Sequence, residues 1–240
     1  MEKDINYYAC FYKNFIWEII TSNSFPIFTI YLIGVKFAFQ WKKLSNPLEL
    51  HKLMFVYNIF LSLVNIYCFY GFLKSLQRSD SIYDKKVDPD LSKVYFIYWI
   101  TKVFELLDTV FMILRHKFRQ ITTLHVFHHA SMVLLSDMGY NRYAWPAFSM
   151  PLLLNALVHV FLYLYYGLTA IGIQPSWKRL LTELQILQFL IDLVFAGYGL
   201  AYHNFCVWSL LYGFSMLYFF VKFYISAYLT KKQNEKYKST

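Results

Sequence analysis

Seven apolar runs, each about long enough to cross a bilayer and joined by short polar connectors, leave this chain little scope to fold in water. They fall at about 24–41, 54–74, 94–114, 120–136, 146–171, 178–201 and 206–229, and roughly 20 such residues in a helix span the hydrocarbon core. Hydrophobic residues make up 58% of the chain and charged residues 15%, and the apolar positions form unbroken stretches instead of amphipathic stripes. This predicts an all-α, polytopic membrane protein with a single membrane domain over residues 1–240. Only the stretch from Lys74 to Lys93 is a connector of any length. Pro26, Pro47, Pro89, Pro146, Pro151 and Pro175 fall at or near helix starts or in connectors, where a missing backbone donor costs little.

The opening residues carry Glu2, Asp4, Lys13 and Glu18 and lack a clean apolar core, so the first span is expected to direct insertion itself. The Lys and Arg bias moderately favours a lumenal N-terminus and a cytosolic C-terminus. A net charge of +9 is scattered over connectors and helix ends without a basic face, which fits membrane flanking and not nucleic acid. Cys10, Cys68 and Cys206 have no metal or redox spacing. Cys10 and Cys206 both fall on the lumenal side of this topology, which leaves a disulfide between them open.

Ionisable groups inside membrane helices are costly, so each needs a partner or a task. The third run holds Lys102, Glu105 and Asp108 within one stripe of a helix, followed by Thr109. A Lys102–Glu105 pair buried for packing would leave Asp108 without a role. The fourth run opens with His125, His128 and His129, whose spacing puts three imidazoles on one face. Asn155 and His159 repeat the one-turn spacing in the fifth run, followed by Tyr163 and Tyr166, and Thr182, Gln185 and Gln188 line one side of the sixth. Taken singly, such amides serve equally well as glue between helices. In the expected topology these groups lie roughly 9–18 Å below the cytosolic ends of their helices, which predicts one pocket opening to the cytosol.

Two chemistries suit the histidines. A metal-dependent lipid-modifying enzyme would use them as ligands, but one box plus His159 is too few for two metal shells, since His51, His116 and His203 lie in connectors. Nucleophilic catalysis needs no metal: an imidazole can take an acyl group from a thioester, and a dry helix bundle protects the product from hydrolysis. A seven-helix receptor or a lipid transporter remains the alternative, although neither needs three histidines on one face.

Four ordered strings resemble the ELO family of very long chain fatty acid elongases. They are Lys102-Val-Phe-Glu-Leu-Leu-Asp-Thr109 with Arg115, Thr122-Thr-Leu-His-Val-Phe-His-His129, Asn155-Ala-Leu-Val-His159 through Gly167, and Thr182-Glu-Leu-Gln-Ile-Leu-Gln-Phe189. The likeness extends to Tyr57-Asn58 and to Phe223-Tyr224 with Tyr228; Lys222 departs from it, standing where a neutral residue is expected.

The resemblance implies seven spans, six of them forming a barrel around an acyl tunnel with the first packed outside. It also implies a very-long-chain 3-oxoacyl-CoA synthase, an acyltransferase that condenses acyl-CoA with malonyl-CoA and needs no further cofactor. His128 is then the expected nucleophile. His159 and Asn155 would stabilise developing charge, Glu105 and Asp108 would orient the imidazoles, and His125 and His129 would tune them. Lys102, Thr182, Gln185, Gln188, Tyr163, Tyr166 and Lys222 are expected at the substrate, with Tyr98 and Phe195 toward the closed lumenal end of the tunnel. A 3-oxoacyl-CoA reductase, a dehydratase and an enoyl-CoA reductase would complete the cycle. Lys236 and Lys238 resemble a dilysine retrieval signal, which points to the endoplasmic reticulum membrane. Both a monomer and a homodimer remain open.

Overall fold

The structure is a computed structural model and describes residues 14–230. Among the described residues there is no strand. The helices are α1 (Asn14–Ile20), α2 (Phe25–Leu44), α3 (His51–Arg78), α4 (Pro89–Phe104), α5 (Leu107–Leu114), α6 (Thr123–Asn141), α7 (Pro146–Ala170), α8 (Lys178–His203) and α9 (Val207–Tyr224). A short 3₁₀ turn covers Phe118–Gln120, and α9 runs on into a π-helical turn, Ile225–Thr230. Cys10, Lys236 and Lys238 lie outside the described residues. Cys68 is a buried free thiol, and Cys206 is disulfide-bonded.

Helix starts follow the expected chemistry. Pro26, Pro89 and Pro146 occupy first-turn positions, where proline's missing N–H is no loss. Asp88 caps α4 by accepting from the N–H groups of Asp90 and Leu91, and Thr122 caps α6 by accepting from His125 N–H. Pro151 lies inside α7, and the helix continues through it.

Among the described residues, α3, α7, α8 and α9 with its π turn are long and apolar enough to cross a membrane. The run expected over 94–114 as one span is instead two helices, broken at Glu105 and Leu106. The cause is a change of hydrogen bonding. Leu106, Asp108 and Thr109 donate to the carbonyls three residues back, Val103, Glu105 and Leu106, at 3.1–3.2 Å, which tightens the turn. The run expected from residue 120 enters its helix only at Thr123 and extends to Asn141.

The chain divides into two compact units, one ending at Ile173 and the other beginning at Gln174. In the first, α3 packs along α7 and α4, α4 along α6, and α2 against α6 and α5. Gly71 lets α3 approach α4 closely, since a Cβ there would stand 2.6 Å from a Val94 methyl. At one end of this unit, Asp137 of α6 accepts from Ser24 N–H at 3.1 Å, and the Ser24 hydroxyl accepts from Trp99 at 2.7 Å. The expected outlying first span therefore makes specific polar bonds: α2 is tied at Ser24 and again at Tyr31, whose hydroxyl meets Thr109 at 2.9 Å. An aromatic layer crosses the same unit. Phe72 stands edge-on to Tyr95 and Tyr98, and Tyr95 lies against Phe148. Gly139 completes it, because a Cβ there would be 2.8 Å from Tyr95 and 2.9 Å from Phe148.

In the second unit α8 and α9 are joined by a tight turn in which Asn204 takes φ 54° and Phe205 N–H returns to Gly199. The start of α8 is fastened to the end of α9. Arg179 bonds Glu183 at 2.8 Å and Tyr224 at 2.6 Å, and Tyr224 donates to Glu183 at 2.8 Å, so the two helices run antiparallel.

Candidate active site

The site is assembled where the α4–α5 break faces α6 and α7. Lys102, in the last turn of α4, bonds Glu105 Oε1 at 2.8 Å, and both side chains are at most 1% exposed. The ammonium also lies 4.8 Å from the centre of the Tyr98 ring, a cation–π contact. Both oxygens of Glu105 face partners of different kinds. Oε2 has no hydrogen-bond partner and stands 3.7 Å from His159 Nε2.

One short contact fixes the His159 tautomer. Its Nδ1 lies 2.8 Å from the Asn155 carbonyl, and a carbonyl only accepts, so Nδ1 carries the proton. In the neutral ring, Nε2 therefore turns a lone pair toward Glu105. Once protonated, it becomes a donor to that carboxylate. The Asn155 amide is oriented too, because Tyr98 donates to its Oδ1 at 2.7 Å.

On α6 the histidines share a face, as their spacing requires. His125 and His129 have ring centroids 4.4 Å apart, and His128 and His129 5.4 Å apart. His128 reaches across to His159 of α7 at 5.9 Å. Its Nδ1 is buried without a hydrogen-bond partner. His125 Nε2 meets Thr109 Oγ1 at 2.8 Å, which links the cluster through Thr109 to Tyr31. Asp108 is the group that packing of Lys102 with Glu105 left unexplained, and Tyr163 of α7 donates to it at 2.9 Å.

The first unit thus brings together Lys102, Glu105, Asp108, His125, His128, His129, Asn155, His159, Tyr163 and Tyr98. Lys102 is held by Glu105 instead of facing solvent, and Tyr98 sits at the polar cluster, not solely in the aromatic layer. Tyr166 touches the Tyr163 ring but is largely exposed. In the second unit, Thr182 and Gln188 are buried and Gln185 half-buried. Thr182 lies 3.4 Å from Tyr228 Oη, and Gln188 donates to Asp192 at 3.3 Å. Phe195 stands edge-on to Phe205, and Lys222 is exposed beside Tyr218. Sequence reading overlooked Asp192, whose mid-helix charge was the available signal, and Tyr31, which offered none. Among the described residues, no group of three or more His, Cys, Asp or Glu is arranged to hold a metal ion.

Imidazoles, carboxylates and an ammonium gathered where α4 and α6 meet α7, itself long and apolar enough to cross a membrane, define a membrane protein with a buried cluster of ionisable groups. Known proteins are similar to it in sequence. The profile of the family described as "ELO: GNS1/SUR4 family" matches residues 20–236. The chain is 31% identical to human very long chain fatty acid elongase 4, over 90% of this chain and 75% of that protein. It is 36% identical to rat very long chain fatty acid elongase 7, over 78% and 73%, and 30% identical to human very long chain fatty acid elongase 5, over 88% and 72%. This chain belongs to the ELO family.

Proposed function

We propose that the chain elongates fatty acyl-CoA by condensing it with malonyl-CoA, with His128 as the acyl carrier. The observation that carries this reading is the packing of His128 against His159, itself backed by the buried Glu105–Lys102 pair. The names of its relatives, fatty acid elongases, support the substrate class.

In the first half-reaction a His128 ring nitrogen attacks the thioester carbonyl, the C–S bond breaks, and the ring's proton leaves with the CoA thiolate. The product is a neutral acyl-imidazole. In the second, malonyl-CoA loses carbon dioxide, the resulting enolate carbon attacks the acyl carbonyl, and the C–N bond breaks. His128 then recovers one proton from solvent, and 3-oxoacyl-CoA is released. The Asn155 amide, oriented by Tyr98, supplies a donor for the charge that develops on oxygen, and His159, whose Nδ1 proton is held by the Asn155 carbonyl, keeps an Nε2 lone pair free to take up a proton. Lys102 pairs with Glu105 and fixes its carboxyl. Burial of His128 Nδ1 within the helix packing keeps bulk water from the acyl-imidazole.

Acyl-CoA, malonyl-CoA and the bilayer are then its partners, with no cofactor beyond the CoA thioesters, and the two reductases and the dehydratase of the cycle act on its product. Kinship with the very long chain fatty acid elongases supports residence in the endoplasmic reticulum, and the charge bias supports a cytosolic C-terminus.

The test uses purified protein. Acyl-CoA alone should add one acyl mass to the peptide holding His128, and acyl-CoA with labelled malonyl-CoA should release labelled carbon dioxide. Acyl label on a cysteine, or label that persists in His128→Ala, would overturn the assignment.

A further inference from the structure

We infer that Tyr57 of α3 is a positioning residue: it holds the α4–α5 break in the form that aims Glu105 and Asp108 at α7. The inference rests on the condensing role proposed above.

The argument begins with a carbonyl. In an uninterrupted helix the Phe104 carbonyl would accept from the N–H of Asp108. Here Asp108 N–H turns to the Glu105 carbonyl at 3.1 Å instead, and Phe104 loses its helical donor. Away from water such a group must find another partner. The Tyr57 hydroxyl supplies it, donating to Phe104 O at 3.0 Å from a different helix. The carboxylate just beyond the break, that of Asp108, is held by Tyr163 at 2.9 Å. The Tyr57 ring is fixed from two sides, edge-on to Phe111 of α5 at 5.0 Å and edge-on to Tyr163 of α7 at 6.5 Å.

Tyr57 thus meets the carbonyl that the break exposes and the tyrosine that holds the carboxylate beyond it. A continuous helix would carry Asp108 further around the axis from Glu105, because the 3₁₀-type turn advances each residue by about 120° and the α turn by about 100°. A hydroxyl on Phe104 stabilises the tighter turn. Tyr57 touches none of the reacting groups, so it acts through Asp108 and Glu105.

Tyr57→Phe removes the hydroxyl and keeps the ring contacts. In the labelled-malonyl assay the variant is expected to lose tenfold or more in kcat while KM for both CoA thioesters stays within about twofold. In an Asp108→Asn background, the same change is expected to cost less than threefold, since residues acting through one group are not additive. Amide exchange of the peptide covering residues 104–109 is read in parallel. It should rise tenfold or more in Tyr57→Phe and stay at the parent level in Tyr70→Phe, a change at an exposed tyrosine of the same helix. A parent without acyl-dependent carbon dioxide release would sink the condensing role alone, because exchange still decides whether Tyr57 holds the break. An active parent with an equally active Tyr57→Phe, a full additive loss in the Asp108→Asn background, or unchanged exchange would each overturn the inference.

Discussion

Two layers of the first unit sit a few helical turns apart and are built on opposite principles. In the polar layer, Lys102 bonds Glu105, Glu105 stands 3.7 Å from His159, and the His128 ring lies beyond His159, yet Glu105 Oε2 and His128 Nδ1 stay unpartnered. In the aromatic layer, where Phe72 stands against Tyr95, the Tyr95 and Phe148 rings leave no room even for a methyl at Gly139. Buried polar groups are ordinarily satisfied, so the first layer retains capacity for new bonds. The second is full. Chemistry needs the former, and a fixed limit on what can enter needs the latter.

The largest effect is expected from breaking the polar layer. Lys102→Met strands the buried Glu105 charge, which should cost about 3–5 kcal/mol of stability and abolish turnover. Adding Glu105→Gln removes the stranded charge, and its amide can donate to His159 Nε2. Thermal melting should show most of the stability restored in the double variant, whereas labelled carbon dioxide release should stay absent. Recovery of turnover would show that the ion pair is a packing device.

Gly139→Ala breaks the second layer. Its Cβ would collide with two rings, which predicts a loss of about 1–3 kcal/mol. Phe148→Leu in the same chain should return part of it. Turnover per folded molecule is expected to hold, because the change lies away from the histidines; a specific loss of kcat would make the aromatic layer part of the chemistry.

Phe148→Ala sharpens the comparison from the other side. If this layer closes an acyl tunnel, removing the ring should shift products by about one two-carbon step, to the extent that the cavity stays open. Microsomal product profiles decide it. Tyr98→Ala is the wrong probe for chain length, since it also takes away the donor to Asn155. The smallest effect belongs to the loop: Arg78→Ala, which loses partly exposed pairs with Asp88 and Asp90, should lower stability by about 1 kcal/mol or less and leave turnover intact.

Much of the site was legible because helical spacing is itself geometry. His125, His128 and His129 had to share a face, and Asn155 with His159 had to share another. The charge of Lys102, Glu105 and Asp108 against an apolar background marked the third run. The break at Glu105 and Leu106 was not legible, since hydropathy is the same whether a hydrogen bond reaches back three residues or four. The partners of Tyr57, which the family likeness had marked, and of Tyr31, which nothing had marked, were hidden for a related reason. A tyrosine in an apolar helix reads as interface or packing, and only the tertiary structure shows its hydroxyl on Phe104 or Thr109. Tyr98 was expected toward the closed end of a tunnel, and the bond its hydroxyl makes to Asn155 was not legible in the sequence.

The Asp137–Ser24 bond joins residues 113 positions apart, and it carries a consequence for the order of synthesis. A ribosome adding ~5–20 residues per second completes α6 roughly 5–19 s after the end of α2. During that interval the Ser24 amide has no Asp137, and hydrocarbon cannot serve in its place. That end of α2 must therefore rest among headgroups or water. Arrival of α6 then draws Ser24 into the position where it is 0% exposed. A nascent chain stalled before residue 137 would leave this end of α2 open, a local mark by which an unfinished protein differs from a finished one.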